Sequence, residues 1–529
     1  MSPFCTESGS NRSMPRRQCA CLLLLLAASA CAPRRSVVVP PAAPTPADRL
    51  ASAEALVRAG CLDCLLAAYG EYDLLRAFPF AKDAATAGAV RTAALIARRE
   101  RELGLADQGY DERARVLLAG ASNLPNWLPT LLDVVEALPA SGAGMTRTPT
   151  SDIELERMRV LRLNRDRWRA RLRELAPIDE LGAYLWLAFT CGATETSNLS
   201  LDELFEPVAP FRDTPLIGFK RATCRASDTA QLQALLDRDP RFLETKYYLG
   251  LSAVGARRLD EADQRFEEAY AWREQWPTLT QSIANVAMTS EEFERSLAFY
   301  DRTLVMEPRA VDALLGRIRA LTYLGRNEDA IATTDLLIAL GWYVGDARYW
   351  RALNESELER NDEAWTDVEA AAKLLVNADV PKLAGLIAYR RHQLDVSRAK
   401  FEEAHARNAN DCETRFYLGV VLAEQGVWNR TAEVLVDTGR CLESAERGLN
   451  DEIAAIRAST DPPARQARKI ARREQFIAKG RRMLATSWFD IAVAYYNMSR
   501  KTEARQFADK VANDEQFGER ARGILSLLK

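Results

Sequence analysis

One spacing constrains this chain of 529 residues more than any other feature. A small residue recurs every 33 or 34 positions, at Ala262, Ser296, Ala330, Ala364 and Ser397. In several segments a large apolar residue follows four positions later and a second small residue three after that, as in Ala262, Phe266 and Ala269. A period of this length indicates one supersecondary unit that is repeated along the chain.

The half of each unit that precedes the small residue has a pattern of its own. Leu249-Gly250 lies twelve to thirteen residues before Ala262, and Leu418-Gly419 lies at the same distance before Thr431. Two helices of about a dozen residues cannot bury their apolar faces alone, so each pair must stack on its neighbours. Small residues let the two helices approach closely, and large ones fill the gap to the next pair.

On these residues the chain resembles the tetratricopeptide repeat (TPR) family over 243–445, and again over 485–515, where Trp488, Tyr495 and Ala504 form a late unit. The resemblance implies an all-α fold, a right-handed superhelical solenoid of helical hairpins. An unrelated helical bundle is the alternative. No series of segments shows the alternating pattern of β-strands.

The chain before the array is predicted to be helical and divergent. Ala53, Leu56 and Val57 share a helical face and indicate a divergent repeat over 46–79. Further helices are predicted at 83–103, 111–120, 126–138, 153–176 and 179–191, with a connector from Pro139 to Ser151. The predicted domains are a signal peptide (1–30), a tether (31–48), a divergent helical domain (49–240), the TPR array (241–445), a basic insertion (446–484) and a final TPR with a capping helix (485–529).

The first 31 residues are typical of a targeting segment. Arg16 and Arg17 precede an apolar run from Ala20 to Ala30, which is too short to span a bilayer. Small residues then lead to Cys31, in a pattern that resembles the bacterial lipobox. The resemblance implies that Cys31 is lipidated and becomes the new N-terminus, and that the protein is anchored in the outer membrane or the periplasm.

Three details of this segment leave alternatives open. An ordinary secretory signal would be cut after Ala28 or Ala30, and translation from Met14 would give a more typical signal length. Ala32 lacks the acidic character that favours inner-membrane retention among lipoproteins.

The proline-rich stretch up to Asp48 cannot build a core, so it is predicted to be an extended tether.

The TPR resemblance also implies a ligand face, because the first helix of each unit lines a concave groove in that family. Aromatic rings with a polar tip, beside a few cations, are suited to holding a partner. The alternative is that several of these side chains pack against the neighbouring unit. The groove residues carried over by position are Tyr247, Gln281, Asn285, Arg319, Tyr323, Tyr349, Lys382, Tyr389, Arg390, Phe416, Phe489, Tyr496 and Asn497.

Cys412 and Cys441 are the first and thirtieth positions of one predicted unit. In an antiparallel helix pair these positions fall at the same end, so a disulfide between them is feasible. Two separate buried thiols are the alternative. An even number of cysteines in the mature body suits an oxidising compartment.

Four other cysteines are less constrained by the pattern. Cys61 and Cys64 form a C-x-x-C at a predicted helix start, where a redox role is conceivable but a structural one is favoured, because no βαβ pattern surrounds them. The sequence leaves open whether Cys191 and Cys224 form a disulfide with each other.

A basic helix is predicted from Ala464 to Arg482, following the helix stop Asp461-Pro462-Pro463. It carries eight lysines and arginines against one acid, Glu474. Such a helix suits anionic lipid or an acidic partner, and a solvated helix face is the alternative.

Composition narrows the function classes. The chain has only His392 and His405, a formal net charge of −3 and no phosphate-binding or metalloprotease motif. We therefore expect no catalysis, no cofactor, no metal and no nucleic acid. The leading interpretation is an envelope scaffold or adaptor that binds a protein or peptide in its groove. The alternatives are a lipoprotein that delivers a solute or glycan to a transporter, and an enzyme with catalytic carboxylates in the non-repeat region.

Overall fold

A computed structural model describes residues 44–138, 152–191, 200–224 and 228–528. Throughout these ranges the regular structure is helical and no strand occurs. No helix within them combines the length and apolarity needed to cross a lipid bilayer. Cys31, most of the tether and the connector 139–151 lie outside the described residues.

Among its described residues, the N-terminal part contains ten α-helices and one short 3-10 helix, Glu206–Phe211. The predicted helices between 46 and 191 all occur, with ends within a few residues of the predicted positions. The helices are α1 Pro46–Ala59, α2 Leu62–Leu75, α3 Lys82–Leu103, α4 Tyr110–Ala119, α5 Leu128–Ala137, α6 Asp152–Leu175, α7 Glu180–Cys191, α8 Leu201–Phe205, α9 Pro215–Ala222 and α10 Thr229–Arg238.

The central part is a regular series of helices in which each packs on the one before and the one after it. The predicted all-α solenoid of helical hairpins is therefore confirmed. Its helices are α11 Glu244–Gly255, α12 Leu259–Trp272, α13 Pro277–Thr289, α14 Phe293–Met306, α15 Val311–Tyr323, α16 Asn327–Ala339, α17 Val344–Glu357, α18 Asn361–Ala372, α19 Asp379–Arg390, α20 Leu394–Arg407 and α21 Cys412–Glu424.

The last part differs from the rest because two of its helices are long. Helix α22 spans Trp428–Ala458 with 31 residues, and α23 spans Pro463–Asn497 with 35 residues. Two short helices follow, α24 Lys501–Lys510 and α25 Gly518–Leu527. The segment 446–484 is thus the continuation of one repeat helix into the next across a single turn. We call this antiparallel helical extension the arm.

The turn inside each hairpin repeats with the predicted register. The backbone adopts a left-handed conformation at Arg257, Glu291, Gly325, Glu359, His392, Gly426 and Ser499. Each of these residues lies five positions before the small residue of its unit, from Ala262 to Ala504. The same turn therefore joins the two helices of every unit, including the final one after the arm.

Close packing explains why the small positions recur. Ala262, Ser296 and Ser397 are fully buried. The hydroxyl groups of both serines donate to the carbonyl oxygen twelve residues earlier, at 2.9 Å for Ser296 and 2.8 Å for Ser397. A Cβ atom added at Gly250 would lie 2.4 Å from the Phe266 ring. Glycine at this position thus lets the first helix rest directly on the aromatic ring of the second.

Candidate functional site

The residues carried over to the groove fall into two groups by burial. Tyr247, Phe416 and Phe489 are 2%, 8% and 4% exposed, so they belong to the core. The packing alternative therefore describes these three side chains in this structure. The other ten are half-buried or exposed: Gln281, Asn285, Arg319, Tyr323, Tyr349, Lys382, Tyr389, Arg390, Tyr496 and Asn497.

Aromatic neighbours explain the burial of two of the three. The Tyr247 ring lies 4.8 Å from that of Trp276, between centroids, and the Phe489 ring stacks on Phe517 at 5.0 Å. Phe416 shares a cluster with Met483 and Leu484 of α23. A groove position is buried where a distant segment of the chain packs against it. Helix periodicity does not predict contacts between distant segments.

Polar and aromatic side chains line the middle of the groove. Tyr323 of α15 is 49% exposed, and its ring faces Trp350 of α17 at 6.4 Å. The Tyr349 ring contacts Trp350 edge to face at 5.6 Å, and the Arg319 guanidinium lies 5.9 Å from the same indole. Burial raises the pKa of Tyr349 to about 12, so its hydroxyl stays protonated at neutral pH. These residues form a surface with hydrogen-bonding tips.

A charged network lies further along the groove. The Lys382 Nζ atom lies 2.7 Å from Glu413 and 3.0 Å from Asp411. The Lys479 Nζ atom of the arm lies 2.6 Å from the other oxygen of Glu413. Burial alone would lower the pKa of Lys382, but Glu413 raises it, so the ammonium stays charged. The root of the arm is thereby held against a groove position of α21.

The far end of the groove is acidic. Tyr389 donates a short hydrogen bond to Glu424. Burial raises the pKa of Asp490 to about 6, and Glu424 adds to that rise.

Arg390 instead points to the preceding unit, where it donates to the Ser356 hydroxyl at 2.7 Å.

The remaining predicted groove residues are polar and more isolated. Asn285 is exposed and accepts a hydrogen bond of 2.6 Å from the Tyr300 hydroxyl, while Gln281 is half-buried. Tyr496 is 39% exposed, and Asn497 donates to the Val493 carbonyl at 2.8 Å.

The tip of the arm contacts the first units of the array. The acidic residues Asp260 and Asp263 of α12, and Glu291 and Glu292 of the α13–α14 turn, lie beside the rings of Phe293 and Tyr323. We call these six residues the cradle. Their partners on the arm are Arg465, Arg468, Arg472 and Arg473.

The ion pairs between the arm and the cradle are numerous and short. Arg465 pairs with Asp260 and, at 3.1 Å, with Glu292. Arg468 approaches Glu292 at 2.6 Å, and Arg473 approaches Glu291 at 2.5 Å. The sequence predicted that the basic helix suits an acidic partner, and the structure locates such acids in the same chain.

One arginine of the arm lies among aromatic rings. The Arg472 guanidinium carbon is 4.7 Å from the Phe293 ring centroid and 5.1 Å from that of Tyr323, and these two rings stack at 4.8 Å. Phe476 of the arm adds a third ring at 5.4 Å. A flat guanidinium suits such faces better than an ammonium does. The cradle therefore combines carboxylates with a site for a planar cation.

The arm contacts two helices of the array that lie far apart in the sequence. Arg472 is seven residues from Lys479, which is about 10 Å along a helix. Their contacts, Tyr323 and Glu413, are separated by 90 residues of sequence. Helix α23 thus contacts both α15 and α21.

A second cluster was not detected from the sequence. Residues Arg98 to Glu102 of α3 are charged yet buried. Glu102 lies 3.0 Å from Arg98 and 2.5 Å from Lys220, and it accepts a hydrogen bond from Tyr184. Burial alone would raise the pKa of Glu102, but Lys220 and Arg98 lower it to about 2. The carboxylate is therefore ionised at neutral pH.

The same helix holds a fully buried ion pair with the array. Arg99 and Glu244 are both 0% exposed and form a short contact. Glu244 also accepts a hydrogen bond of 2.9 Å from the Leu62 backbone N–H at the start of α2. The Arg99 guanidinium covers the Phe219 ring at 3.8 Å. This pair joins α2, α3, α9 and α11.

A half-open cleft of about 240 Å³ lies between α1, α3 and the start of α7. Its wall includes Tyr72, Thr92 and the ion pair between Arg91 and Asp179 at 2.9 Å. The Thr92 hydroxyl is buried without a hydrogen-bond partner among the described residues.

Three disulfides join the cysteines of the described body: Cys61 to Cys64, Cys191 to Cys224, and Cys412 to Cys441. The Cα atoms of Cys412 and Cys441 are 5.6 Å apart, at one end of the α21–α22 hairpin as the sequence predicted. The sulfur atoms of Cys61 and Cys64 and a carboxylate oxygen of Asp239 lie within 4.8 Å of one another. Because the two sulfur atoms are bonded to each other, they are not free thiolate ligands.

Comparison with known proteins agrees with this architecture. Residues 282–345 match the tetratricopeptide repeat family. No curated protein sequence matches the chain. The matched segment therefore carries TPR-type helical repeats, within a described body that is helical throughout.

Several solved structures are similar to the chain. A tetratricopeptide repeat protein from Parabacteroides merdae is 14% identical with a TM-score of 0.35, covering 54% of this chain and 98% of its own. The TPR protein TTC0263 of Thermus thermophilus is 17% identical with a TM-score of 0.29, covering 34% of this chain and 98% of its own. The Cut9–Hcn1 hetero-tetramer of the APC/C is 13% identical with a TM-score of 0.37, covering 91% of this chain and 96% of its own.

Proposed function

We propose that this protein is a membrane-anchored scaffold of the bacterial envelope that binds a segment of a partner protein in its concave groove. One observation supports the proposal: α23 lies against side chains of two first helices of the array, because Arg472 contacts Tyr323 of α15 and Lys479 pairs with Glu413 of α21. A surface that holds one helix by side-chain contacts has the width and chemistry to hold another.

The envelope address rests on the sequence around Cys31 and on the cysteine pairs. Three disulfides in one chain are typical of an oxidising compartment such as the periplasm. Lipidation of Cys31 would hold the chain at a membrane through the proline-rich tether. Labelled palmitate is expected on the wild type, and its presence on Cys31→Ser as well would contradict the anchor.

Groove variants test partner binding. In capture from detergent-solubilised envelopes, Tyr349→Ala with Tyr389→Ala is expected to reduce recovery of the specific partner at least tenfold. The reason is that removal of one well-packed interface aromatic costs about 1–2 kcal/mol or more, and 1.4 kcal/mol is a factor of ten in affinity.

The matched control is Leu336→Ala on α16, a second helix of its unit. Leu336 is 59% exposed, so its loss should spare both folding and capture. Helical circular dichroism must be unchanged in all variants. Equal recovery by the wild type, the double variant and the control would remove the groove from consideration.

A further inference from the structure

We infer that the cradle is a docking surface for an arginine-bearing helix of the partner, and that the arm occupies it in cis until that helix takes its place. This inference rests on the proposed function and names the chemistry of the partner segment. It commits to a protein helix that presents arginines with the spacing of the arm.

The electrostatics of the cradle favour a cationic occupant. Asp260, Asp263, Glu291 and Glu292 lie together, and the nearby Arg295 pairs with Asp263 at 2.7 Å and with Glu292 at 3.3 Å. One local cation leaves the group of four carboxylates strongly negative. Like charges held close together repel one another, so the cradle is stabilised by an opposite charge from outside its own units.

The geometry favours arginine over lysine. Two guanidinium groups of the arm approach Glu292, those of Arg465 and Arg468, and a third from Arg472 lies against Phe293 and Tyr323. Fork-shaped donors and a flat cationic face are properties of the guanidinium group. Arg465 uses three nitrogens, on Asp260, Asp263 and Glu292. An ammonium at position 465 would keep the charge but lose this fork, and one at position 472 would lose the stacking.

The spacing on the arm defines the shape of the ligand. Arg465, Arg468 and Arg472 are separated by three and four residues, so they project from one face of α23, with Arg473 beside them. A partner segment with this pattern on a helix would meet the same carboxylates and rings.

The tip of the arm can dissociate from the cradle while the two helices of the arm stay folded. Its tip reaches the cradle through long side chains. The ion pair of Arg468, which is 46% exposed, is partly screened by solvent and salt, whereas Arg465 is 11% exposed and better covered. Its two helices remain together without the cradle, because Ile453 and Ile477 are buried in their seam and Arg481 pairs with Glu446 at 2.5 Å. Release of the tip therefore does not require unfolding.

A cis occupant competes at the high effective concentration of a tethered ligand, in the millimolar range for short tethers. A free helix binds only while the arm is off the cradle. Its apparent affinity is therefore its intrinsic affinity multiplied by the fraction of protein in which the cradle is uncovered. The competition gives a direct test with the arm itself as the probe.

The probe is a fluorescent peptide of residues 463–482 with a hydrocarbon staple between the positions of Ala467 and Ala471. Both positions are exposed, so the staple leaves the arginine face free and fixes the helix in advance. The receptor is the full chain with Arg465, Arg468, Arg472 and Arg473 replaced by glutamine, here termed the opened variant. Fluorescence anisotropy measures binding at low ionic strength.

We expect the peptide to bind the opened variant at least tenfold more tightly than the wild type. Adding Glu291→Gln, Glu292→Gln and Tyr323→Ala to the opened variant should reduce that affinity at least tenfold. A peptide with lysine at the four arginine positions should bind less tightly than the original. Raising the salt concentration should weaken binding, because the contacts are ionic.

Three results would overturn the inference. The first is that the peptide does not bind a correctly folded opened variant. The second is that it binds the wild type and the opened variant equally well. The third is that the arginine and lysine peptides bind with equal affinity. None of them bears on capture through Tyr349 and Tyr389, so the inference and the proposed function fail separately.

Discussion

Replacing Glu244 with alanine is expected to lower the free energy of unfolding of the surrounding helices by about 3–5 kcal/mol. The change leaves the Arg99 guanidinium, which is 0% exposed, without its counter-charge. The Leu62 N–H also loses its acceptor at the start of α2. An uncompensated buried charge is among the most destabilising defects in a folded protein.

Hydrogen exchange in α2, α3 and α11 measures this effect region by region, because a long repeat chain does not unfold in one transition. Glu369→Ala, at an exposed position of α18, is the matched control and should change stability by less than about 0.5 kcal/mol. Replacing the pair together, as Arg99→Met with Glu244→Leu, should recover most of the loss. A loss below about 1 kcal/mol, or no recovery in the double variant, would contradict a structural ion pair.

Phe266→Ala is expected to destabilise the α11–α12 hairpin by about 3–5 kcal/mol. The ring is fully buried, and it fills the space above Gly250. Its removal costs the transfer of the side chain and leaves a cavity that the rigid stack fills only in part. Amide exchange in α11 and α12 should therefore accelerate more than in α19 and α20.

The glycine opposite this ring gives a test of the contact itself. Gly250→Ala alone should destabilise the hairpin, since the new Cβ meets the ring at 2.4 Å. In the Phe266→Ala background the same change should be neutral or stabilising, because the clash is gone and alanine favours a helix. Additive effects of the two substitutions would show that the residues do not touch in solution.

The register of the array could be predicted because it follows from local pattern. A small residue at Ala262 and a ring at Phe266 identify one helix face, and the same pair recurs one period later. The late unit at Ala504 was placed correctly even though the arm interrupts the phase, because each unit carries its own pattern.

The burial of α3 could not be predicted by the same reasoning. Five successive charged residues from Arg98 to Glu102 are typical of a solvated helix face. Their partners, such as Lys220 and Glu244, lie 118 and 145 residues away in the chain. Only the tertiary fold brings such charges together, and periodicity carries no information about it.

For the groove and the arm, too, local features could be predicted from the sequence and contacts between distant segments could not. Position along the first helix predicted the face of Tyr323, but burial of Phe416 depends on α23, which crosses it from more than 60 residues away. The basic charge of the arm indicated an acidic partner. The acids that meet it, Glu291 and Glu292, lie over 170 residues upstream, and no local signal identifies them.

Docking of the arm across the groove is the claim on which the proposed partner chemistry depends, and zero-length carbodiimide cross-linking tests it directly. The reagent joins a lysine amine to a carboxylate in contact with it, and native Lys479 lies 2.6 Å from Glu413 as an internal standard. In dilute Arg468→Lys protein, we expect mass spectrometry to recover two intramolecular links, Lys479 to Glu413 and position 468 to Glu292. Recovery of the first link without the second would show that the tip of the arm does not rest on the cradle.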